Sequence, residues 1–335
     1  MDFGFSDEQQ QIKATARELL GERSPFPRVR AAAEARVDDA ELWAELCELG
    51  WPGIAVAEEH GGQGLGAVEL AILLEELGYA VAATPFLGTA LAALALQHGG
   101  TDAQRERWLP GLASGELTGG FGRAGLVADA DGAAVIVLVA EARAKPGDNP
   151  AGRGSGARVI DGADADVTRL ETIDPTRRYG RVAGEGPALA AGVGARSAGP
   201  LAAELVGVSQ RALDMTTAYV KERRQFGVPV GAFQAVSHRC AEMLLHTEAA
   251  RSAAYFAAWA ADAAPDRLDE AAGLATAAAG EAGRSVTGSA IQAHGGIGFT
   301  WEADVHWLFK RAQLDAELLG GASAARIALA RARAA

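Results

Sequence analysis

The chain has 335 residues, of which 49% are hydrophobic, and its 31 Lys and Arg face 43 Asp and Glu for a formal charge of −12. Such a sequence can bury a large core across two or three domains, which excludes disordered, fibrous and disulfide-stapled chains. Its acidity disfavours a nucleic-acid partner, because neutralising phosphates takes clustered Lys and Arg.

The start, Met1-Asp-Phe-Gly-Phe-Ser-Asp-Glu-Gln, is acidic where a secretory signal needs a basic end followed by an apolar run. A cytoplasmic location is therefore expected. Ser6 with Gln9 is a capping-box pattern, and Ile12, Ala16, Leu19 and Leu20 then recur at helical spacing up to Gly21. Further helices are predicted over residues 39–49, 67–77, 86–97 and 102–113, with Pro110 marking a break in the last. The apolar stretch 70–96 is interrupted by Glu75, Glu76, Gly78, Pro85 and Gly88, so no membrane span is expected. The two cysteines, Cys47 and Cys240, lie in apolar helical patterns and read as reduced, buried thiols rather than a disulfide or a metal site. Residues 1–115 form an expected helical domain.

Composition changes at residue 115. Short β-leaning runs at 133–139, 157–160 and 166–170 are separated by Gly, Asp and Pro clusters, predicting a small β domain over residues 116–186. Its segment 145–156, rich in Gly, Pro and Asn, is expected to be a mobile loop. From residue 187 to 335 long Ala-rich amphipathic patterns return, at about 200–224, 231–261, 268–292 and 302–318 plus a short tail helix, predicting an antiparallel bundle. The fold class expected is mainly α with a small β domain.

Most generic catalytic patterns fail. The sequence has no Gly-x-Ser-x-Gly elbow and no His-Glu-x-x-His zinc pair. His238, Glu242 and His246 step along one helix face, but the outer two are two turns apart, so no metal site is expected. Ser237 and His238 are helix neighbours that point apart, and Gly62-Gln63-Gly64-Leu65-Gly66 reads as a flexible turn.

Two segments stand out. In Glu222-Arg223-Arg224-Gln225-Phe226-Gly227-Val228-Pro229, arginines close a long helix and a turn follows. Either this is an ordinary C-cap complementing the helix dipole, or guanidinium, amide and ring together hold a diphosphate near an adenine or ribose. In Gln292-Ala293-His294-Gly295-Gly296-Ile297-Gly298-Phe299-Thr300-Trp301-Glu302, three glycines after a helix expose backbone N–H groups, as a simple turn or as a phosphate cradle.

With Gly50-Trp51, Gly61-Gly62 and the Trp108-Leu109-Pro110-Gly111 segment upstream, this order and spacing resembles the acyl-CoA dehydrogenase family over nearly the whole chain. The resemblance implies a helical domain, a β domain and a C-terminal four-helix bundle, assembled as dimers of dimers. It implies FAD as cofactor, an acyl-CoA substrate of fatty or steroid side-chain type, and electron-transfer flavoprotein as electron acceptor. By the same resemblance Arg223, Gln225 and Phe226, joined by Gln292, Gly295 and Gly296, would bind the FAD diphosphate and adenosine end of a neighbouring subunit. A carboxylate would remove the α-proton while the β-hydrogen leaves as hydride to the flavin.

The family's usual base, a Glu before Gly near the chain end, falls at Leu319, which cannot accept a proton. Arg196-Ser197-Ala198-Gly199, at the opening of the bundle, hold no carboxylate either. Glu204, Asp315 and Glu317 are nearby acids in sequence and read as solvated helix charges. The β domain lacks the family's flavin-facing strands, showing only Gly119-Gly120-Phe121-Gly122-Arg123. The pattern resembles the degenerate, short-β-domain subunits of actinobacterial heterotetrameric members, which implies a homologous catalytic partner subunit. Two alternatives stay open, a self-sufficient homotetramer with an unrecognised base and a scaffold that has lost FAD.

Overall fold

The computed structural model describes residues 4–123, 125–140 and 156–334. Six helices open the chain: α1 (Asp7–Arg23), α2 (Phe26–Ala35), α3 (Ala40–Glu48), α4 (Ala67–Ala80), α5 (Phe86–Gly99) and α6 (Asp102–Ser114). The Ser6–Gln9 capping box forms as the pattern predicts. Helix α1 runs past Gly21 to Arg23, since a single glycine costs only about 1 kcal/mol in a helix whose Ala16 and Leu20 are buried. Helix α6 likewise continues through Pro110, because Trp108, Leu109 and Leu112 anchor it in the core on both sides of the missing N–H. Helix α2 was not anticipated. It is short, with Pro27 in its first turn and three buried residues, Val29, Ala32 and Ala33.

A six-stranded sheet follows: β1 (Gly119–Arg123), β2 (Leu126–Ala128), β3 (Val135–Val139), β4 (Ala157–Asp161), β5 (Asp166–Leu170) and β6 (Tyr179–Ala183). The strand order is β4-β3-β1-β2-β6-β5, and only the β1–β3 pair is parallel. Val135, Ile136 and Val137 are buried on both faces of β3, as a continuous Val/Ile/Leu run in a central strand should be. The predicted mobile loop lies outside the described residues except for Gly156.

The remainder is helical: α7 (Val193–Arg196), α8 (Ala198–Glu222), α9 (Gln234–Ala263), α10 (Leu268–His294), α11 (Val305–Leu318) and α12 (Ala322–Ala334), with the two-residue strands β7 (Arg224–Gln225) and β8 (Val228–Pro229) between α8 and α9. Helix α8 is the axis of the molecule, packing on α4, α9, α10 and α11. Its approach to α4 is so close that a Cβ on Gly207 would collide with the Glu75 carbonyl, and one on Gly78 with the Glu204 carbonyl. That crossing takes Glu204 into the interior. Among the described residues no helix is long and apolar enough to cross a membrane. Cys47 and Cys240 are free and half-buried, and burial pushes the Cys47 thiol up to about 11.

Candidate functional site

The first predicted segment forms a hairpin at the end of α8. Arg223 caps the helix, its N–H donating to the Tyr219 carbonyl at 2.8 Å, and Arg224 pairs with Pro229 and Gln225 with Val228. The two turn residues, Phe226 and Gly227, have φ of 50° and 82°, the left-handed pair that a tight two-residue hairpin requires. For Phe226 that backbone is strained, and its ring is 93% exposed, meeting Phe233 edge-on with 6.2 Å between centroids. The Arg223 and Gln225 side chains are exposed, with the Gln225 amide donating to the Arg224 carbonyl at 2.7 Å.

The second segment ends α10 beside it. The Tyr219 ring, one turn before Arg223, stacks on His294 at 4.4 Å, and His294 is fixed by its Nδ1 contact with the Ala290 carbonyl at 2.7 Å. Burial lowers the His294 pKa, so the imidazole is neutral and serves as packing. Gly295 follows with φ of 64°, and a Cβ at Gly295 or Gly296 would meet nothing within 4 Å. Gln292 and Gly296 are exposed. One ring stack thus sets the two predicted motifs side by side. Exposed guanidinium and amide, a strained aromatic and an open glycine backbone are a donor set suited to a diphosphate with an adjoining flat ring.

The predicted base position lies elsewhere. Leu319 and Gly320 line a cavity of about 280 Å³ between β1, the start of α8, the start of α10 and α12. Leu319 is buried, and its carbonyl accepts a hydrogen bond from Arg123 Nη2 at 3.3 Å. Arg123 also donates to the Ala140 carbonyl at 2.6 Å and lies where a Cβ on Gly320 would be. Ser197 is in the wall too, but its hydroxyl is spent on the Val193 carbonyl at 3.1 Å. Among the described residues, the only carboxylate in this wall is that of Asp269, an exposed residue in the first turn of α10.

Glu204 and Asp315 correct the sequence reading. Both are fully buried, not solvated. Arg177, from the turn before β6, donates to Asp315 Oδ1 at 2.7 Å and to Glu204 Oε1. Arg311 donates to Glu204 Oε1 at 3.0 Å, to Asp174 Oδ2 at 2.7 Å and to Thr176 Oγ1 at 2.6 Å. Burial, and then the neighbouring Glu204, push the Asp315 carboxyl well up. Burial opposes ionisation of Asp174 as well, but Arg311 and Thr176 outweigh it and hold that carboxyl below its ordinary value. Arginine holds one oxygen each of Glu204 and Asp315, Oε1 and Oδ1, while Glu204 Oε2 and Asp315 Oδ2 are buried without a hydrogen-bond partner among the described residues, and the network is enclosed by the fold. Glu317 is exposed and pairs with Arg284.

Sequence reasoning missed this network, Asp269 and the role of Arg123. A signal existed for Arg311, which shares a helical face with Leu308, Ala312 and Asp315, all buried. A guanidinium on an apolar face needs buried carboxylates.

A helical layer, a small sheet and a helix bundle, with an exposed donor-rich corner at one bundle end and a cavity at the other, are the architecture of acyl-CoA dehydrogenase folds. The model of the acyl-CoA dehydrogenase N-terminal domain matches residues 6–116, and that of the acyl-CoA dehydrogenase C-terminal domain matches residues 185–334. The chain belongs to the acyl-CoA dehydrogenase family, whose members are FAD-dependent oxidoreductases. Among its relatives is acyl-CoA dehydrogenase IpdE2 of Mycolicibacterium smegmatis, 35% identical over 323 residues that cover 94% of this chain and 96% of that protein. Among solved structures, the steroid ACAD Tcur3481-Tcur3483 is 30% identical with a TM-score of 0.83, covering 98% of both chains. The ChsE4-ChsE5 complex from Mycobacterium tuberculosis is 26% identical with a TM-score of 0.84, covering 100% of this chain and 99% of that one.

Proposed function

We propose that this chain is a cytoplasmic acyl-CoA dehydrogenase subunit acting on a fatty or steroid side-chain acyl-CoA, and that it completes the FAD site of a homologous catalytic subunit. The observation that carries the reading is Leu319. An apolar side chain stands at the base position, its carbonyl tied to Arg123, and the nearby acids of α8 and α11 are locked to arginines or paired at the surface. The hairpin corner, by contrast, is exposed. Arg223 and Gln225 would bind the diphosphate, the N–H groups around Gly295 and Gly296 would add donors, and the Phe226 ring would cover the adenosine end. FAD, when bound, supplies the hydride acceptor, and electron-transfer flavoprotein takes the electrons on. The steroid-related neighbours, one of them a complex of two different proteins, support both the substrate class and the partnership.

The test is flavin absorbance per chain, taken on the purified protein alone and after co-expression with a homologue that retains the Glu-Gly motif. Little flavin alone and about one per pair with the partner is expected; stoichiometric flavin with full activity in the lone chain overturns the reading. Asp269 favours a second reading, a self-sufficient enzyme with an unusual base, because among the described residues it is the one carboxylate in the cavity wall. Asp269→Asn discriminates, since losing a true base costs orders of magnitude in rate.

A further inference from the structure

A second, smaller cleft of about 160 Å³ opens between the last turn of α1, the α1–α2 turn, the end of α4 and the middle of α8. It is about 18 Å along α8 from the hairpin corner, taking 1.5 Å per residue from Arg211 to Arg223. Two guanidiniums line it. That of Arg17 lies 3.4 Å from the Tyr79 ring centroid and donates through two nitrogens to Glu76, which Lys13 also contacts at 2.7 Å. That of Arg211 lies 4.9 Å from the Tyr79 centroid and 5.3 Å from that of Phe26.

The acids around the cleft are already used. Glu76 is held by Arg17 and Lys13, and Asp214 accepts from the Tyr79 hydroxyl at 3.0 Å and from Gln210 Nε2 at 2.9 Å. The Ser24 hydroxyl is directed to the Ala80 carbonyl at 3.4 Å. Among the described residues Arg211 has no ion pair or hydrogen bond, yet it is half-buried and steadied by two rings. A guanidinium so fixed presents its fork of donors with little further entropy to lose, the arrangement that suits a planar carboxylate or a phosphate. The apolar wall of Leu20, Pro25 and Phe26 would accept a short hydrocarbon body. At about 30 Å³ per water the volume holds roughly five non-hydrogen atoms.

We propose that this cleft is a binding site for a small anion, a short-chain carboxylate or a phosphate, received by Arg211. The site is separate from the FAD corner and does not depend on which subunit carries the base.

The test titrates sodium propionate and, separately, inorganic phosphate into the full-length protein by calorimetry, with ionic strength held constant by chloride. Saturable binding in the millimolar range is expected for one of them, and which one names the source. Arg211→Gln should weaken it at least about tenfold, as loss of a charge-assisted contact does. Gly21→Leu is an independent steric test: Gly21 is in the cleft wall, a Cβ there meets nothing within 4 Å, and leucine favours the helix, so the variant should fold and exclude the anion. Arg284→Gln, which breaks an exposed pair with Glu317 outside the cleft lining, should bind as the unaltered protein does. Absence of binding by both anions up to about 50 mM, or undiminished binding in both Arg211→Gln and Gly21→Leu, overturns the proposal.

Discussion

The two ends of α8 are built on opposite principles. At its C-terminal end Arg223, Gln225 and Phe226 are exposed and make almost no internal contacts, and Phe226 is held in a strained backbone that does nothing for the core. At its N-terminal end Ser197 and Glu204 are buried, and the acids Glu204, Asp315 and Glu317 are each paired with arginine. Groups kept free at a cost belong to a ligand, whereas groups saturated by partners belong to the fold. The exposed hairpin is the face proposed to bind FAD, and the buried network behind the cavity holds the fold together.

Arg311→Met should break it most severely. Removing that guanidinium leaves Asp174 and Glu204 buried with too little compensation, and a loss of about 3–5 kcal/mol is expected in chemical denaturation. A loss under about 1 kcal/mol would mean the network is more solvated than its geometry indicates. At the other end, Arg223→Gln should leave the melting temperature unchanged, because the side chain is exposed, while weakening FAD retention in the co-expressed pair. One charge-assisted contact to a diphosphate amounts to about 1.5–3 kcal/mol, a tenfold to hundredfold change read from flavin released on dilution.

Asp129 sharpens the comparison through pH. Burial raises its carboxyl to about 7, and its Oδ2 accepts from the Gly88 N–H at 2.9 Å. The folded chain therefore keeps a proton that the unfolded chain releases above about pH 4. Stability contributed by this group is present below pH 4 and is lost as pH rises towards 7. Asp129→Asn, which keeps an acceptor oxygen without the charge, should match the unaltered protein at pH 4 and exceed it at pH 8 by on the order of 4 kcal/mol in urea melts. A constant difference at both pH values would remove the titration from the account. The smallest effect belongs to Glu317→Gln, which breaks an exposed pair with Arg284 and should change stability by less than about 0.5 kcal/mol and activity not at all.

Much of this was legible in the residues. The Ser6 capping box, the helical periodicity and the glycine stops place most helices within a few residues, because they are local signals that act over one or two turns. The helix end at Gly21 and the break at Pro110 do not occur, since burial of neighbouring leucines overrides a local breaker. The Arg-Gln-Phe-Gly and Gly-Gly-x-Gly segments were visible because turn chemistry and exposed polar groups are written in consecutive residues.

The sequence by itself determined the helical, sheet and bundle order, the two motifs and a leucine, not a carboxylate, at position 319. Only the tertiary structure decided that Tyr219 stacks on His294 to join those motifs, that Asp269 faces the cavity and that Glu204 and Asp315 are buried. A helical residue's face is periodic and can be read from its neighbours, but its partner is set by whichever distant segment packs there. Arg177 reaches Glu204 and Asp315 from the turn before β6, 27 and 138 residues away in the chain, and no local pattern encodes such a meeting.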